Sequence, residues 1–245
     1  MKTLNAVGKR VLFISDLHMP YHHPDSFKFL RAIKKKYLDK KDLIVNLGDE
    51  VDGHQISFHQ SETSSEILSA SEELQACIDL IHMKGGLHET FPEMYLCESN
   101  HGSLIFRRAK AHGLPISYFK TYQQVYETPK WKWEEDFLIK TKLGNIYVCH
   151  GKSGMYGKLS STMGCSAVQG HFHGKFEITW HRSALMEQFN MLCGCLIDRQ
   201  RMAFAYGKNH LPKPILGVGL VSREGYPTLL KMQLNSKNQW IGKLP

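Results

Sequence analysis

Short apolar runs alternate with amphipathic stretches along the first half of the chain. The run Val11–Ile14 is apolar throughout and predicts a buried strand. Asp25 stands at an N-cap position. Beyond it Phe27, Leu30, Ile33 and Tyr37 recur at helical spacing, with Lys28, Lys34, Lys35 and Lys36 on the opposite face. Residues 43–47 predict a second strand. Thr63-x-x-Glu66 reads as a capping box opening a long helix that faces inward through Ile67, Leu74, Ile78 and Ile81 and stops at Gly85-Gly86. Met94–Cys97 predicts a third strand, and Leu104–Ala111 a basic helix closed by Gly113. From Trp131 the pattern turns to β. Residues 137–141 and 146–149 flank a Leu143-Gly144-Asn145 turn and read as a hairpin. Residues 167–169, 176–180, 215–221 and 228–234 follow as strands, the last two joined at Glu224-Gly225. Alternating β and α, then mostly β, predicts a mixed α/β fold. No repeat or linker divides it, so residues 1–245 read as one domain.

Composition narrows the class. The chain has 245 residues, 42% of them hydrophobic and 22% charged, with nine prolines, which excludes disordered, collagen-like and repeat-array proteins. No apolar run approaches the roughly 20 residues of a membrane helix. Lys9 and Arg10 sit where a signal peptide would be apolar. The expectation is a cytoplasmic chain with no membrane partner. Six cysteines, the closest pair being Cys193-x-Cys195, predict reduced, buried thiols. A formal net charge of +8 favours anionic partners, and fourteen histidines supply metal-ligand and acid–base groups in number.

The chemistry lies at strand ends. Five predicted strands run directly into ligand-type residues: Asp16-Leu17-His18, Gly48-Asp49, Asn100-His101, His150-Gly151, and Gly170-His171-Phe172-His173. In α/β sheets the ligand crevice lies beyond the carboxyl ends of the strands, so five distant segments would deliver Asp, His and Asn to one rim. The glycines beside Asp49, His150 and His171 are expected to permit sharp turns there.

The ordered set D-x-H, G-D-x-x-D, N-H, H-G and G-H-x-H, spanning residues 16–173, resembles the calcineurin-like metallophosphoesterase family. The resemblance implies a four-layer αββα sandwich of two mixed β-sheets flanked by helices. It implies one metal held by Asp16, His18, Asp49 and His173, and a second by Asp49, Asn100, His150 and His171. His101 would be the unligated histidine that contacts substrate or leaving group. It further implies ester hydrolysis through a metal-bound hydroxide, since two divalent ions clamp the attacking and leaving oxygens of an in-line displacement. Oxygen and nitrogen donors without thiolate suit Mn above all, with Fe, Ni, Zn, Co or Mg as alternatives.

Two departures shape the expected substrate. The family usually places an acid after Asn-His, whereas Gly102 stands here; Glu98 or Asp52 would have to orient His101 instead. The arginines with which the family's phosphoprotein phosphatases grip phosphate are replaced by Gly53 and Glu98, which disfavours a protein phosphatase. Residues 53–90 and 112–135 fall between motifs as inserts that could shape a substrate site, the second carrying Tyr118, Phe119, Tyr122, Tyr126, Trp131 and Trp133 for base stacking or for a satellite core. Arg107 and His54 are the expected substrate contacts. The chain is also similar to small phage-encoded members of the family, including deoxyribonucleoside 5′-monophosphatases. The expected activity is hydrolysis of (deoxy)ribonucleoside 5′-monophosphates. The alternative is a phosphodiesterase or nuclease acting on DNA or cyclic nucleotides, and a non-catalytic scaffold of the same fold is a third reading.

Overall fold

All four side chains of the strand Val11–Ile14 are buried, and they face two different clusters. Val11 and Phe13 join Val45, Phe137, Val148 and Met191. Leu12 and Ile14 join Phe29, Leu30, Ile33 and Ile81. A strand buried on both faces belongs to a sheet covered on both sides, and here one cover is helical and the other is a second sheet. The computed structural model describes residues 1–57, 68–152, 155, 157–200 and 213–245.

Among these residues the strands are β1 (Lys2–Asn5), β2 (Val11–Ile14), β3 (Leu43–Asn46), β4 (Met94–Cys97), β5 (Trp131–Glu134), β6 (Asp136–Lys140), β7 (Asn145–Cys149), β8 (Ser166–Gln169), β9 (Phe176–Arg182), β10 (Glu187–Cys193), β11 (Gly217–Val221) and β12 (Pro227–Lys231). The helices are α1 (Ser26–Tyr37), α2 (Ala70–His82), α3 (Leu87–Thr90), α4 (Leu104–Ala111), α5 (Tyr122–Val125) and α6 (Leu159–Met163). One six-stranded sheet runs β12-β11-β2-β3-β4-β5 and the other β1-β6-β7-β8-β10-β9. Both are mixed: β2 to β5 are parallel while β11 is antiparallel to β2, and β7, β8 and β10 are parallel while β9 is antiparallel to β10. Side chains of β1, β2, β3, β6, β7 and β10 fill the space between the sheets. Helices α1 to α3 cover the first sheet, and α6 covers Tyr147, Cys149 and Ala167 on the outer face of the second. This is the four-layer αββα sandwich expected from the sequence.

Several local expectations need correction. Helix α2 begins at Ala70, where Ser69 and Glu72 form the capping box; the Thr63 and Glu66 pair and Ile67 lie outside the described residues. Leu74, expected to face inward, is 40% exposed. Asp25 precedes α1 but does not cap it through its side chain. Its Oδ2 accepts instead from the backbone N–H of Trp240 at 2.9 Å, tying the chain end to α1. The six cysteines are free thiols, five of them buried. No described helix is long and apolar enough to cross a membrane.

Candidate metal centre

The parallel strands β2 and β3 continue to pair beyond their ends. Asp16 N–H donates to Gly48 O at 3.1 Å, His18 N–H to Asp49 O at 2.8 Å and Met19 N–H to Glu50 O at 3.0 Å. Asp16, His18 and Asp49 are therefore laid side by side by backbone bonds. Asp16, His18, Asp49 and His171 all have positive φ, between 50° and 68°, each costing of order 1–3 kcal/mol for a residue with a Cβ. Four such residues converge on one rim, so surrounding structure enforces the conformation.

The adjacent glycines divide into two roles. Gly48, at φ +102°, needs glycine's freedom, and a Cβ there would also lie 2.6 Å from Ser99 Cβ. Gly151 and Gly170 show no positive φ; they matter for close approach rather than for turning. A Cβ on Gly151 would meet His171 Cβ at 2.6 Å, and one on Gly170 would press on Ser15 Oγ and Asp16 Oδ2.

Three segments of the first sheet and two of the second deliver the donors to this rim. Donor atoms of Asp16, His18, Asp49 and His173 lie within 4.8 Å of one another, as do those of Asp49, His150 and His171. Asp49 belongs to both groups. His173 Nε2 stands 3.0 Å from Asp16 Oδ1, and Asp49 Oδ2 stands 3.5 Å from His18 Nε2 and 3.3 Å from His150 Nε2. Asn100 Oδ1 completes the second group at 2.6 Å from His150 Nε2.

Two pairs of imidazole nitrogens face each other, His18 Nε2 with His173 Nε2 at 3.3 Å and His150 Nε2 with His171 Nδ1 at 3.2 Å. Unprotonated ring nitrogens repel at that distance unless a proton or a metal ion lies between them. The tautomers are prepared for it. His18 Nδ1–H donates to Asp52 Oδ1 at 2.6 Å and His150 Nδ1–H to Leu47 O at 2.9 Å, which turns both Nε2 atoms toward the cluster. The donor set fits a pair of divalent cations.

Electrostatics agree. Burial opposes ionisation of Asp16 and Asp49, yet His173 and His18 around the first and His150 and His18 around the second hold both carboxyls well below the usual carboxylate range. Burial opposes the charged imidazole as well, yet Asp16, Asp52 and Asp49 hold His18 well above the ordinary histidine value, and Asp49 lifts His150 to about 9. The carboxylates thus demand positive charge at this spot.

The sequence model of the calcineurin-like phosphoesterases matches residues 9–182, well over half of the chain. The chain belongs to the calcineurin-like phosphoesterase family. No curated protein matches the sequence. Among solved structures, this family member is similar to vacuolar protein sorting 29 from Cryptosporidium parvum at 16% identity, covering 97% of this chain and 94% of that one with a TM-score of 0.48. It is similar to vacuolar protein sorting 29 from Chaetomium thermophilum at 10% identity, covering 98% and 94% with a TM-score of 0.47. It is likewise similar to a protein serine/threonine phosphatase from Saccharomyces cerevisiae at 10% identity, covering 96% and 84% with a TM-score of 0.42.

Around this phosphoesterase centre, His101 lies against the cluster without joining the two donor groups that share Asp49. Its ring centroid is 4.7 Å from that of His18, and its backbone N–H donates to Asp49 Oδ1 at 3.1 Å. His101 Nδ1–H donates to the Asp52 backbone O at 2.6 Å, and Nδ1 lies 3.4 Å from Asp52 Oδ1. The Asp52 main-chain carbonyl thus takes the Nδ1–H for which a replacement carboxylate was expected, and Glu98 is exposed. Burial, with the neighbouring His18, lowers the His101 pKa. Arg107 donates to the Asn100 carbonyl, which keeps its guanidinium on the loop that carries the donors. His54 sits 3.8 Å from Asp52 Oδ2, on the far side of that carboxylate from His18.

Asp52 has a role beyond the His101 partnership expected of it, since its carboxylate accepts from His18 Nδ1–H at 2.6 Å. The second Asp of Gly48-Asp49-Glu50-Val51-Asp52 was the available signal. Ser99 was missed altogether; its Oγ accepts from the N–H groups of Asp49 at 2.9 Å and Gly102 at 3.1 Å and so pins two motifs together.

Proposed function

We propose that the chain is a dinuclear-metal phosphomonoesterase that hydrolyses nucleoside 5′-monophosphates to nucleoside and phosphate, deoxyribonucleotides of the kind handled by phage-encoded relatives included, in the cytoplasm in which it is made. The observation that carries this reading is the pair of donor groups sharing Asp49 at the meeting of five chain-distant segments. Asp16, His18, Asp49 and His173 would hold one ion, and Asp49, Asn100, His150 and His171 the other, with Mn the preferred metal. Such a pair supplies Lewis-acid charge for the phosphoryl oxygens and acidifies a water.

The remaining work falls to the protein's own groups. Asp52 holds His18 in the tautomer that points Nε2 inward. His101, fixed through Nδ1, presents Nε2 to the leaving oxygen. In the balanced reaction a water oxygen bonds to phosphorus and gives up a proton, the P–O5′ bond breaks, and a proton passes to the departing O5′; the protonated fraction of His101, which burial reduces, is the donor, and the water's proton restores it. Arg107, anchored beside Asn100, adds positive charge at the rim for the phosphate. Gly53 stands where a protein phosphatase would place an arginine, which supports a small substrate over a phosphoprotein.

The test is phosphate release from a panel of 5′- and 3′-nucleotides with Mn²⁺, after EDTA and metal add-back, beside bis-aryl phosphodiesters and single-stranded DNA. Fastest release from 5′-monophosphates is expected. Faster cleavage of the diesters would replace this reading with a phosphodiesterase or nuclease, and no metal-dependent release from any ester would leave a scaffold.

A further inference from the structure

Beyond His101 the surface falls into a cavity of about 340 Å³ whose walls come from the two inserts and α4. His101 and Gly102 form its edge on the metal side, and the ring of His101 lies 4.7 Å from that of His18. A group held at the metal centre therefore reaches the cavity across a single imidazole. The far walls are apolar and aromatic. Phe106 meets Phe119 and Tyr122 edge to face, with centroids 6.4 and 5.0 Å away. Leu74 and Ile105, 40% and 41% exposed, belong to α2 and α4 and both open onto this space. Two solvent-exposed aliphatic side chains on separate helices, turned to one aromatic-walled hollow beside the catalytic histidine, are not needed for the core.

We infer that this cavity is the leaving-group site and receives the nucleobase of the substrate, with the sugar spanning His101. The inference rests on the phosphoesterase reading and specifies its substrate. The volume lies at the small end of ligand pockets, which run from roughly 300 to 1,000 Å³, so it suits one planar ring system and not a polymer or a folded protein. Aromatic walls offer stacking that every base can use. The aromatic residues of the second insert thereby divide by role. Trp131 is fully buried, donates from Nε1 to Phe91 O at 2.9 Å and serves the core, while Tyr126, 5% exposed, belongs to the core and also lines the cavity floor. Phe119 and Tyr122 face the cavity, and Tyr118, 81% exposed, lines neither.

The experiment compares deoxyadenosine 5′-monophosphate with 2-deoxyribose 5-phosphate, which carries the same ester without a base. Phe119→Ala removes one wall, and Ile105→Trp fills the cavity from an exposed helical position. For both variants the ratio of kcat/KM for the nucleotide to that for the sugar phosphate is expected to fall roughly 5- to 150-fold, chiefly through KM. An unchanged ratio would overturn the assignment. A second arm uses the full chain in EDTA with adenosine, read by saturation-transfer NMR. Transfer to the base protons is expected in the natural protein and its loss in Ile105→Trp. If adenosine binds in this way but no ester releases phosphate, the cavity stands and the phosphoesterase reading falls. If phosphate is released while adenosine gives no signal and the ratio does not move, the phosphoesterase reading stands and the cavity assignment falls.

Discussion

His18 donates from Nδ1 to Oδ1 of Asp52 at 2.6 Å, and this bond commits Nε2 to the side where Asp16, Asp49 and His173 converge. The Asp52 backbone carbonyl accepts from His101 Nδ1–H at 2.6 Å, so one residue orients two histidines, His18 through its carboxylate and His101 through its main chain. Asp52→Ala is expected to weaken metal binding and lower activity roughly 10- to 100-fold, the usual effect of removing such a supporting partner. Metal titration of the variant, with turnover measured at saturating metal, separates the two losses. Unchanged affinity and turnover would contradict the role given to Asp52.

Asp49→Ala should remove both ions and abolish turnover, because a single side chain stands within reach of both donor groups. Elemental analysis after gel filtration checks this. Two ions retained per chain would contradict sharing by Asp49.

His101→Ala leaves the two overlapping donor groups intact and is expected to keep both ions. The rate on a nucleotide should fall roughly 10²- to 10⁴-fold if His101 supplies the leaving-group proton. An aryl phosphate, whose leaving group needs no proton, should lose far less. Equal losses on the two substrates would assign His101 to charge stabilisation of the phosphoryl group instead.

Metal uptake should release protons. In the metal-free chain the carboxylates hold His18 well above the ordinary histidine value and His150 at about 9. Both rings are therefore protonated at pH 7 and must give up those protons to bind a cation. Apparent metal affinity should rise with pH up to about 9. Calorimetric titration at pH 7 in buffers of different ionisation enthalpy measures the number released. The same shifts affect folding in the absence of metal. A histidine whose folded pKa is raised stabilises the fold below its unfolded value near 6.5, and that contribution is lost as pH rises through about 9. With metal bound, stability should hold across that window. No proton release at pH 7 would show that the rings are already neutral.

Much of this protein is legible in one dimension. Val11–Ile14 and Leu104–Ala111 are found where periodicity places them, since an unbroken apolar run and a basic amphipathic turn before Gly113 are local signals. The gathering of Asp, His and Asn at one rim is legible too, because each of these residues lies close after a strand's end. Other elements escaped for identifiable reasons. Strand β10 carries Gln188 and Asn190 in a nearly fully buried run, and Asn190 is satisfied by Ser160, whose N–H donates to Oδ1 at 2.8 Å and whose Oγ accepts from Nδ2 at 2.7 Å, and by the Gly157 carbonyl, which accepts from Nδ2 at 3.2 Å. Polar residues satisfied by a distant helix leave no periodic trace. Strand β1 is a four-residue edge strand, mostly exposed, with only Leu4 buried. The Ser69 and Glu72 capping box uses the same hydroxyl–carboxyl pairing at the same spacing as Thr63 and Glu66, so local chemistry did not separate them.

The order of residue types along the chain determined the family, the layered fold and which ligand-type residues gather at the rim, because strand ends, glycines and ligand-type side chains are local properties. Tertiary structure alone decided that Asp52 serves His18, that Ser99 pins Asp49 to the Asn100 loop, and that Phe119 opens onto a cavity while Trp131 closes into the core. Those outcomes depend on which faces meet once two sheets and two inserts are packed, and that is set by distances between residues that lie far apart in sequence.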